Sequence, residues 1–406
     1  MVLRNGREFL SIPGPTTVPD EVLSAMHRPA IDIYAGELLN ITASCLDDLR
    51  KVFRTNGLVY IYIANGHGVW EAALTNVLSR GDKVLVLESG AFAVGWGDMA
   101  RMLGADVEVL PGPLRGAVDS GAVEARLKSD RGGAIKAVLV AQVDTASGVA
   151  NDIVRIRKAI DSAGHGALLM VDAIASLATM PFEMDGWDVD VAVAGSQKGL
   201  MMPPGLGFIA ASARARAVHK KAGLRTGYWD WTAREGSEPY QKYCGTPPEH
   251  LLFGLRRALD LLFAEGLDNV FRRHSILAEG VRRSVARWSA ENVLEFNILR
   301  AAERSDSITT IRFKDGFDPT PLQNYCREVC GVILGVGLGE LRNKGIRIAH
   351  MGHVNAPMIL GTLSAVEIGL RALHIPHGNG GVQAAIEWLA EAVPPVEVQP
   401  LSLCEH

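Results

Sequence analysis

Residues 171–208 read VDAIASLATMPFEMDGWDVDVAVAGSQKGLMMPPGLGF. Two short apolar runs frame the chemistry of this stretch. GALLMVD (166–172) ends on Asp172, and VDVAVAG (189–195) leads straight into Ser196, Gln197 and Lys198. Neither run alternates apolar with polar residues. Each therefore reads as a strand covered on both faces, which favours a parallel sheet in an α/β layer. Aspartate and lysine are rarely buried without a partner, because their charges lose hydration there. An acid and a lysine at the ends of two interior strands call for a reason.

Similar runs recur along the chain: LVYIYIA (58–64), KVLVLE (83–88), AIKAVLVAQV (134–143) and GFIAA (207–211). Between them, HGVWEAALTNVLSR, VGWGDMARMLG and NDIVRIRKAIDSAG read as helices, the last with Asn151 or Asp152 as N-cap. In PEHLLFGLRRALDLLFAEG, Leu251, Leu252, Leu255, Ala258, Leu259, Leu262 and Phe263 recur at three- and four-residue spacing, the mark of one buried stripe. Beyond it, helical patterns (271–290, 319–330) alternate with EFNIL, SITTIRF, VILGVG and GIRIAH. The expected organisation is an N-terminal arm (1–20), a large α/β domain with a mostly parallel sheet (21–270) and a smaller C-terminal α+β domain (271–406). The last thirty or so residues carry no readable role.

The 406 residues suit two domains sharing an interface, and 48% hydrophobic against 21% charged residues provides for a large core. Forty-one Lys and Arg against 45 Asp and Glu, with no basic run, argue against nucleic acid as partner. No apolar stretch approaches a membrane span, and MVLRNGREFLSIPGPTTVPD has no signal-peptide core, so a soluble, cytoplasmic protein is expected. Cys45, Cys244, Cys326, Cys330 and Cys404 are too scattered for a disulfide framework and read as reduced thiols. Cys326 and Cys330 stand four apart, but no second Cys/His pair completes a zinc site, and no metal is expected.

In open α/β sheets, ligands collect at the carboxyl ends of strands. LVYIYIA is followed by Asn65-Gly66-His67-Gly68 and a helix, whose free amides suit a phosphate. KVLVLE leads to Phe92 on a glycine-flanked turn, either a core aromatic or a flat wall for a ligand. AVLVAQV leads into the polar turn Asp144-Thr145-Ala146-Ser147-Gly148. Asp172 is either a helix cap for AIASLATM or the partner of a buried cation. The nucleotide motifs fail: NGHGVW lacks the third glycine of G-x-G-x-x-G, and no G-x-x-x-x-G-K-[ST] exists. A phosphate cradle, a flat aromatic, one acid and one lysine on one rim fit a planar, phosphorylated aldehyde cofactor better than a nucleotide.

These residues resemble the class V, fold-type I aminotransferases that use pyridoxal 5′-phosphate, and within them the serine–glyoxylate and alanine–glyoxylate group. PGPTTVP, NGHG, the Asp172–Lys198 spacing, SQKG followed by PPG, and IRIAHMG carry the likeness over roughly residues 10–370. The resemblance implies that Lys198 is joined to the cofactor's aldehyde and that Asp172 keeps the ring nitrogen protonated. It implies that Phe92 stacks on the ring, that Gly66, His67 and Gln197 hold the phosphate, and that Thr145 sits at the hydroxyl edge. Arg347 would bind the substrate carboxylate; without the resemblance it reads as a salt-bridging arginine. Tyr243 and Thr246 match a Tyr-x-x-Thr element that reaches the phosphate of the neighbouring subunit, implying a homodimer. Tyr34, Asn343 and the Trp229-Asp230-Trp231 cluster are candidates for shaping the substrate pocket, with packing as the alternative.

The expected reaction is transamination between a small amino acid (serine, alanine or aspartate) and a small 2-oxo acid, glyoxylate foremost. Asn65-Gly66-His67-Gly68 departs from the Ser/Thr-rich loop of bacterial serine–glyoxylate members, which leaves the donor open. The same fold supports desulfurases, but VILGVGLGELRNKG has no cysteine where such a nucleophile would stand. A dimer that keeps the fold without catalysis is the remaining rival, disfavoured by the presence of both Asp172 and Lys198.

Overall fold

The computed structural model describes residues 3–393; Cys404 and the end of the expected C-terminal domain lie outside the described residues. The strands, in chain order, are β1 Phe9–Ser11, β2 Leu58–Ala64, β3 Lys83–Leu87, β4 Asp106–Leu110, β5 Ile135–Ala141, β6 Val143–Asp144, β7 Val149–Ala150, β8 Leu168–Asp172, β9 Val191–Gly195, β10 Gly205–Ala211, β11 Leu294–Phe296, β12 Ile308–Phe313, β13 Val332–Val336 and β14 Gly345–Ala349. The α-helices are α1 Asp20–Met26, α2 Glu37–Phe53, α3 Gly66–Val77, α4 Ala91–Met102, α5 Ser120–Ser129, α6 Ile153–Ser162, α7 Ala213–His219, α8 Glu249–Glu265, α9 Leu267–Trp288, α10 Thr320–Tyr325, α11 Ala356–Ala372 and α12 Gly381–Ala392.

Seven strands form the main sheet in the order β2-β10-β9-β8-β5-β3-β4. Neighbours β4, β3, β5, β8 and β9 pair in parallel, while β10 runs against both β9 and β2. Six strands thus point one way and Gly205–Ala211 the other. The unalternating runs are covered on both faces, as β8 and β9 show by being buried at every position. On one face α2, α5, α6 and α8 contribute Leu49, Leu127, Ile156 and Leu255 to one apolar layer. On the other, α3 and α4 contribute Val69, Trp70, Trp96 and Ala100. Burying one such aliphatic side chain is worth about 1.5–3 kcal/mol, so both layers hold the sheet firmly.

A second sheet has the order β1-β13-β14-β12-β11 and packs against α9, α11 and α12 through Val285, Trp288, Leu363 and Ala385. The arm is part of it: Phe9–Ser11 pairs in parallel with Val332–Leu334. AIASLATM, a helix under one of the two readings of Asp172, is a series of turns; Asp172 Oδ1 accepts the Ile174 amide at 2.7 Å. Asp152, one of the two candidate caps, accepts the Arg155 amide at 3.0 Å to open α6.

Candidate active site

Because six strands are co-directional, the ends of β2, β3, β5, β8 and β9 share one rim. The turns that follow them enclose a cavity of about 200 Å³ lined by Gly66, His67, Phe92, Thr145, Asp172, Gln197 and Lys198, seven of the residues singled out above. Asn65, Trp70, Val143, Ile174 and Ala175 complete its walls. At its floor α3 begins: Asn65 caps it by accepting the Gly68 amide at 3.1 Å, and the first turn leaves amides without intrahelical acceptors. A Cβ on Gly66 would come within 2.7 Å of Ile174 Cδ1, so a side chain there would have to push that methyl aside on the cavity wall.

Asp172 closes the cavity from β8, 4% exposed. Its Oδ2 accepts the Trp70 indole N–H at 2.9 Å and its Oδ1 the Ile174 amide. Burial outweighs these two donors and pushes its pKa up to about 7. Lys198, half-buried, stands in the turn after β9. Burial, reinforced by the guanidinium of Arg347, lowers its pKa to about 8, and the carboxyl of Asp172 opposes that shift. The pair is therefore poised: a carboxyl and an amine that both change charge near neutrality.

The arm closes over the lysine. Lys198 Nζ donates to the Pro13 carbonyl, and a Cβ on Gly14 (φ +108°) would fall 2.7 Å from Nζ. Thr16 ties the same turn down, its amide donating to the Gln197 carbonyl at 3.1 Å and its hydroxyl to the Lys198 carbonyl at 3.0 Å. Gln197 Oε1 is sealed from solvent with no hydrogen-bond partner among the described residues.

Phe92 rides on the first turn of α4, its ring centroid 6.3 Å from that of Trp70 at 68°. His67 packs edge-on against the same indole at 4.8 Å. Arg347, on β14 and 6% exposed, stands beside the cavity, bonded to one of its walls but not itself lining it. Its Nε donates to the Val336 carbonyl at 2.7 Å and its Nη1 to the Thr145 carbonyl at 2.9 Å. Burial lowers its pKa to about 10. No carboxylate is bonded to it among the described residues, so the salt-bridge alternative does not hold.

The other singled-out residues lie elsewhere. Tyr34 stands on the surface, 67% exposed, its amide donating to Asp32. Asn343 is exposed and adopts a left-handed φ of 59°, serving the turn into β14 rather than this cavity. Tyr243 points inward, its hydroxyl 2.9 Å from Thr42 Oγ1, whereas Thr246 is exposed. Trp231 packs in the core, stacked on Tyr60 at 5.5 Å, and Trp229 bonds Glu71. Cys326 is buried and Cys330 half-buried, both thiols pushed up by burial and neither on the cavity wall. Sequence reading missed Trp70 because a tryptophan on the apolar face of a helix looks like core. It is core, with one polar atom aimed at Asp172.

Comparison with known proteins fits this geometry. Residues 9–340 match the family model for aminotransferase class V. The chain is 39% identical over 399 residues to the serine–glyoxylate aminotransferase of Methylorubrum extorquens, covering 96% of this chain and 97% of that one. It is 38% identical to the L-aspartate–glyoxylate aminotransferase of Paracoccus denitrificans, over 93% of this chain and 94% of the relative. Among solved structures, pyridoxamine–pyruvate aminotransferase from Mesorhizobium loti superposes with a TM-score of 0.88 at 28% identity, covering 97% of this chain and all of that one. With a lysine, a carboxylate and a helix N-terminus converging on one rim of a fold-type I sheet, the chain belongs to the class V aminotransferases.

Proposed function

We propose that the protein is a pyridoxal 5′-phosphate-dependent transaminase that moves the amino group between a small amino acid (serine, alanine or aspartate) and a small 2-oxo acid, glyoxylate foremost. The observation that carries this reading is the convergence of Lys198, Asp172 and the first turn of α3 on one cavity. The residues fit the cofactor. The free amides that open α3 are donors suited to a phosphate, and the orphaned Gln197 Oε1 can accept from a water bound to it. Asp172 offers a carboxylate to a ring nitrogen, and Phe92 a flat wall.

When bound, the cofactor supplies an aldehyde that accepts the amino group and a ring that withdraws electrons from the substrate's α-carbon. Lys198 Nζ would hold the cofactor's aldehyde carbon, and its lowered pKa supplies the neutral amine that this role needs. Once released, the same amine takes the proton from the substrate's α-carbon and returns it on the far side of the exchange. Asp172, its carboxylate held by Trp70 and the Ile174 amide, keeps a proton on the ring nitrogen. Arg347, with Nε and Nη1 tied to carbonyls, meets the substrate carboxylate with Nη2. Both substrates carry that carboxylate, so one arginine serves both halves of the reaction.

The working unit in this reading is a homodimer in which Thr246, on the exposed loop that buried Tyr243 anchors, reaches the partner's phosphate. Among the described residues no helix is long and apolar enough to cross a membrane, and the four described cysteines are free, which supports a cytoplasmic setting. A donor panel of serine, alanine and aspartate against glyoxylate, oxaloacetate and pyruvate, scored by kcat/KM, tests the proposal. Serine, alanine or aspartate with glyoxylate should rank first, and Lys198→Ala should abolish the visible band of the bound cofactor. A protein that binds no cofactor, or transfers no amino group, overturns it.

A further inference from the structure

Asp144 is fully buried, yet no cation is bonded to it among the described residues. Its two oxygens accept three backbone N–H groups instead: Phe92 and Ala93 on Oδ2, both at 3.0 Å, and Ala146 on Oδ1 at 2.9 Å. The first two donors open α4, the helix that carries the Phe92 ring into the cavity. The third belongs to the turn that carries Thr145, whose carbonyl takes Nη1 of Arg347.

A helix start can be capped by a neighbouring serine or asparagine at little cost. Here the cap comes from a carboxylate 52 residues away along the chain, and burying it is expensive. The fit leaves no slack, since a Cβ on Gly90 would stand 2.4 Å from the Asp144 carboxyl. One buried group thus fixes two loops of different strands, β3 and β5, relative to each other. One loop holds the ring wall and the other backs the arginine.

We propose that Asp144 is a positioning residue for both halves of the site, setting Phe92 against the cofactor ring and, through the Thr145 carbonyl, Arg347 against the substrate carboxylate. This rests on the roles given above to Phe92 and Arg347. Nothing in it requires Asp144 to touch either ligand.

Asp144→Asn is the test. Both carboxylate oxygens face N–H groups, so either orientation of the new amide sets its NH₂ against a donor and breaks one of the two anchors. The expected result is a loss at whichever anchor breaks: on the α4 side, cofactor binding weaker by about tenfold, in spite of the relieved repulsion on Asp172, with a diminished visible circular dichroism per bound cofactor; on the Thr145 side, a KM raised by about tenfold for both amino acid and oxo acid. The controls separate this idea from the reading beneath it. Phe92→Ala should move only the cofactor readouts, and Arg347→Lys chiefly both KM values; if neither control responds, the site reading fails first. If the controls respond while Asp144→Asn changes neither cofactor affinity nor KM, the positioning role is overturned. Gly90→Ala, which pushes the carboxylate from the opposite side, should reproduce the same pattern. If both variants only melt earlier, with the dichroism, affinity and KM of the folded fraction unchanged, Asp144 is a structural anchor alone and the proposal falls.

Discussion

Replacing Trp70 by phenylalanine keeps a ring in the buried face of α3 and deletes one bond, the 2.9 Å donation to Asp172 Oδ2. The carboxyl would keep the Ile174 amide and the attraction of Lys198, against its own burial and the repulsion of Asp144. A hydrogen bond to an ionised group is worth about 1.5–3 kcal/mol. At about 1.4 kcal/mol per pKa unit, the Asp172 carboxyl of the cofactor-free variant should titrate about one to two units higher than in the wild type. The wild-type group already sits at about 7. A neutral acid pairs poorly with a protonated ring nitrogen, so cofactor affinity follows the ionised fraction. Below the wild-type pKa the variant should bind about 10- to 100-fold more weakly, and the gap should close as pH rises past the variant's own pKa. Lys198 titrates in both proteins and largely cancels from the ratio. The assay is the apparent dissociation constant of the cofactor for each cofactor-free protein, followed by tryptophan fluorescence or the visible band from about pH 6 to pH 10. A wild-type-to-variant ratio that stays flat across that range would refute the argument, because a packing loss has no reason to follow the carboxyl's titration.

The rate at which cofactor-free protein captures pyridoxal 5′-phosphate should rise with pH only until Lys198 is neutral, levelling near its pKa of about 8. At pH 7 the lowered value makes the neutral fraction about 300-fold larger than an ordinary lysine would have; a stopped-flow rate still climbing tenfold per unit beyond about pH 9 contradicts this. Arg347→Lys removes the planar fork held between the Val336 and Thr145 carbonyls. It should raise KM for both substrates by about tenfold or more, and a change confined to one substrate would count against a shared carboxylate site. Gly199→Ala would set a Cβ 2.2 Å from the Leu177 carbonyl oxygen, displacing the Lys198 turn. Differential scanning calorimetry should show a loss of about 1–3 kcal/mol, and an unchanged Tm would mean the turn yields freely.

What the sequence discloses follows from which forces are local. Strands buried on both faces announce themselves as unbroken apolar runs, and Leu58–Ala64 was legible residue for residue. Edge strand β4 was not, because Asp106 and Glu108 alternate with valines and the strand is only partly covered. Helix α2 hides in the same way, its buried side carrying Thr42 and Cys45 among leucines. The direction of β10 and the pairing of Phe9–Ser11 with Val332–Leu334 depend on contacts made far along the chain, which no local period encodes.

The site divides along the same line. Lys198 and Asp172 stand out because a charge at the end of an apolar run is locally anomalous, and anomalies can be seen one residue at a time. Trp70 and Asp144 govern the same cavity, but each looks locally ordinary, a helix-face aromatic and a turn acid. Their roles exist only once β2, β3, β5 and β8 are laid side by side, so that an indole N–H meets Asp172 and a carboxylate meets the amides of α4. The arm shows the converse. The sequence marks residues 1–20 only as an N-terminal arm, yet within it residues 9–16 add a strand to the second sheet and bond the Gln197–Lys198 turn of the first. The arm thus joins the smaller sheet to the lysine turn through a short stretch of chain. Severing that link with Thr16→Val, which leaves the backbone bond from Thr16 but removes the hydroxyl from the Lys198 carbonyl, should loosen the lysine turn while sparing Asp172. A variant whose cofactor capture keeps the wild-type rate and pH profile would show that the arm merely covers the site.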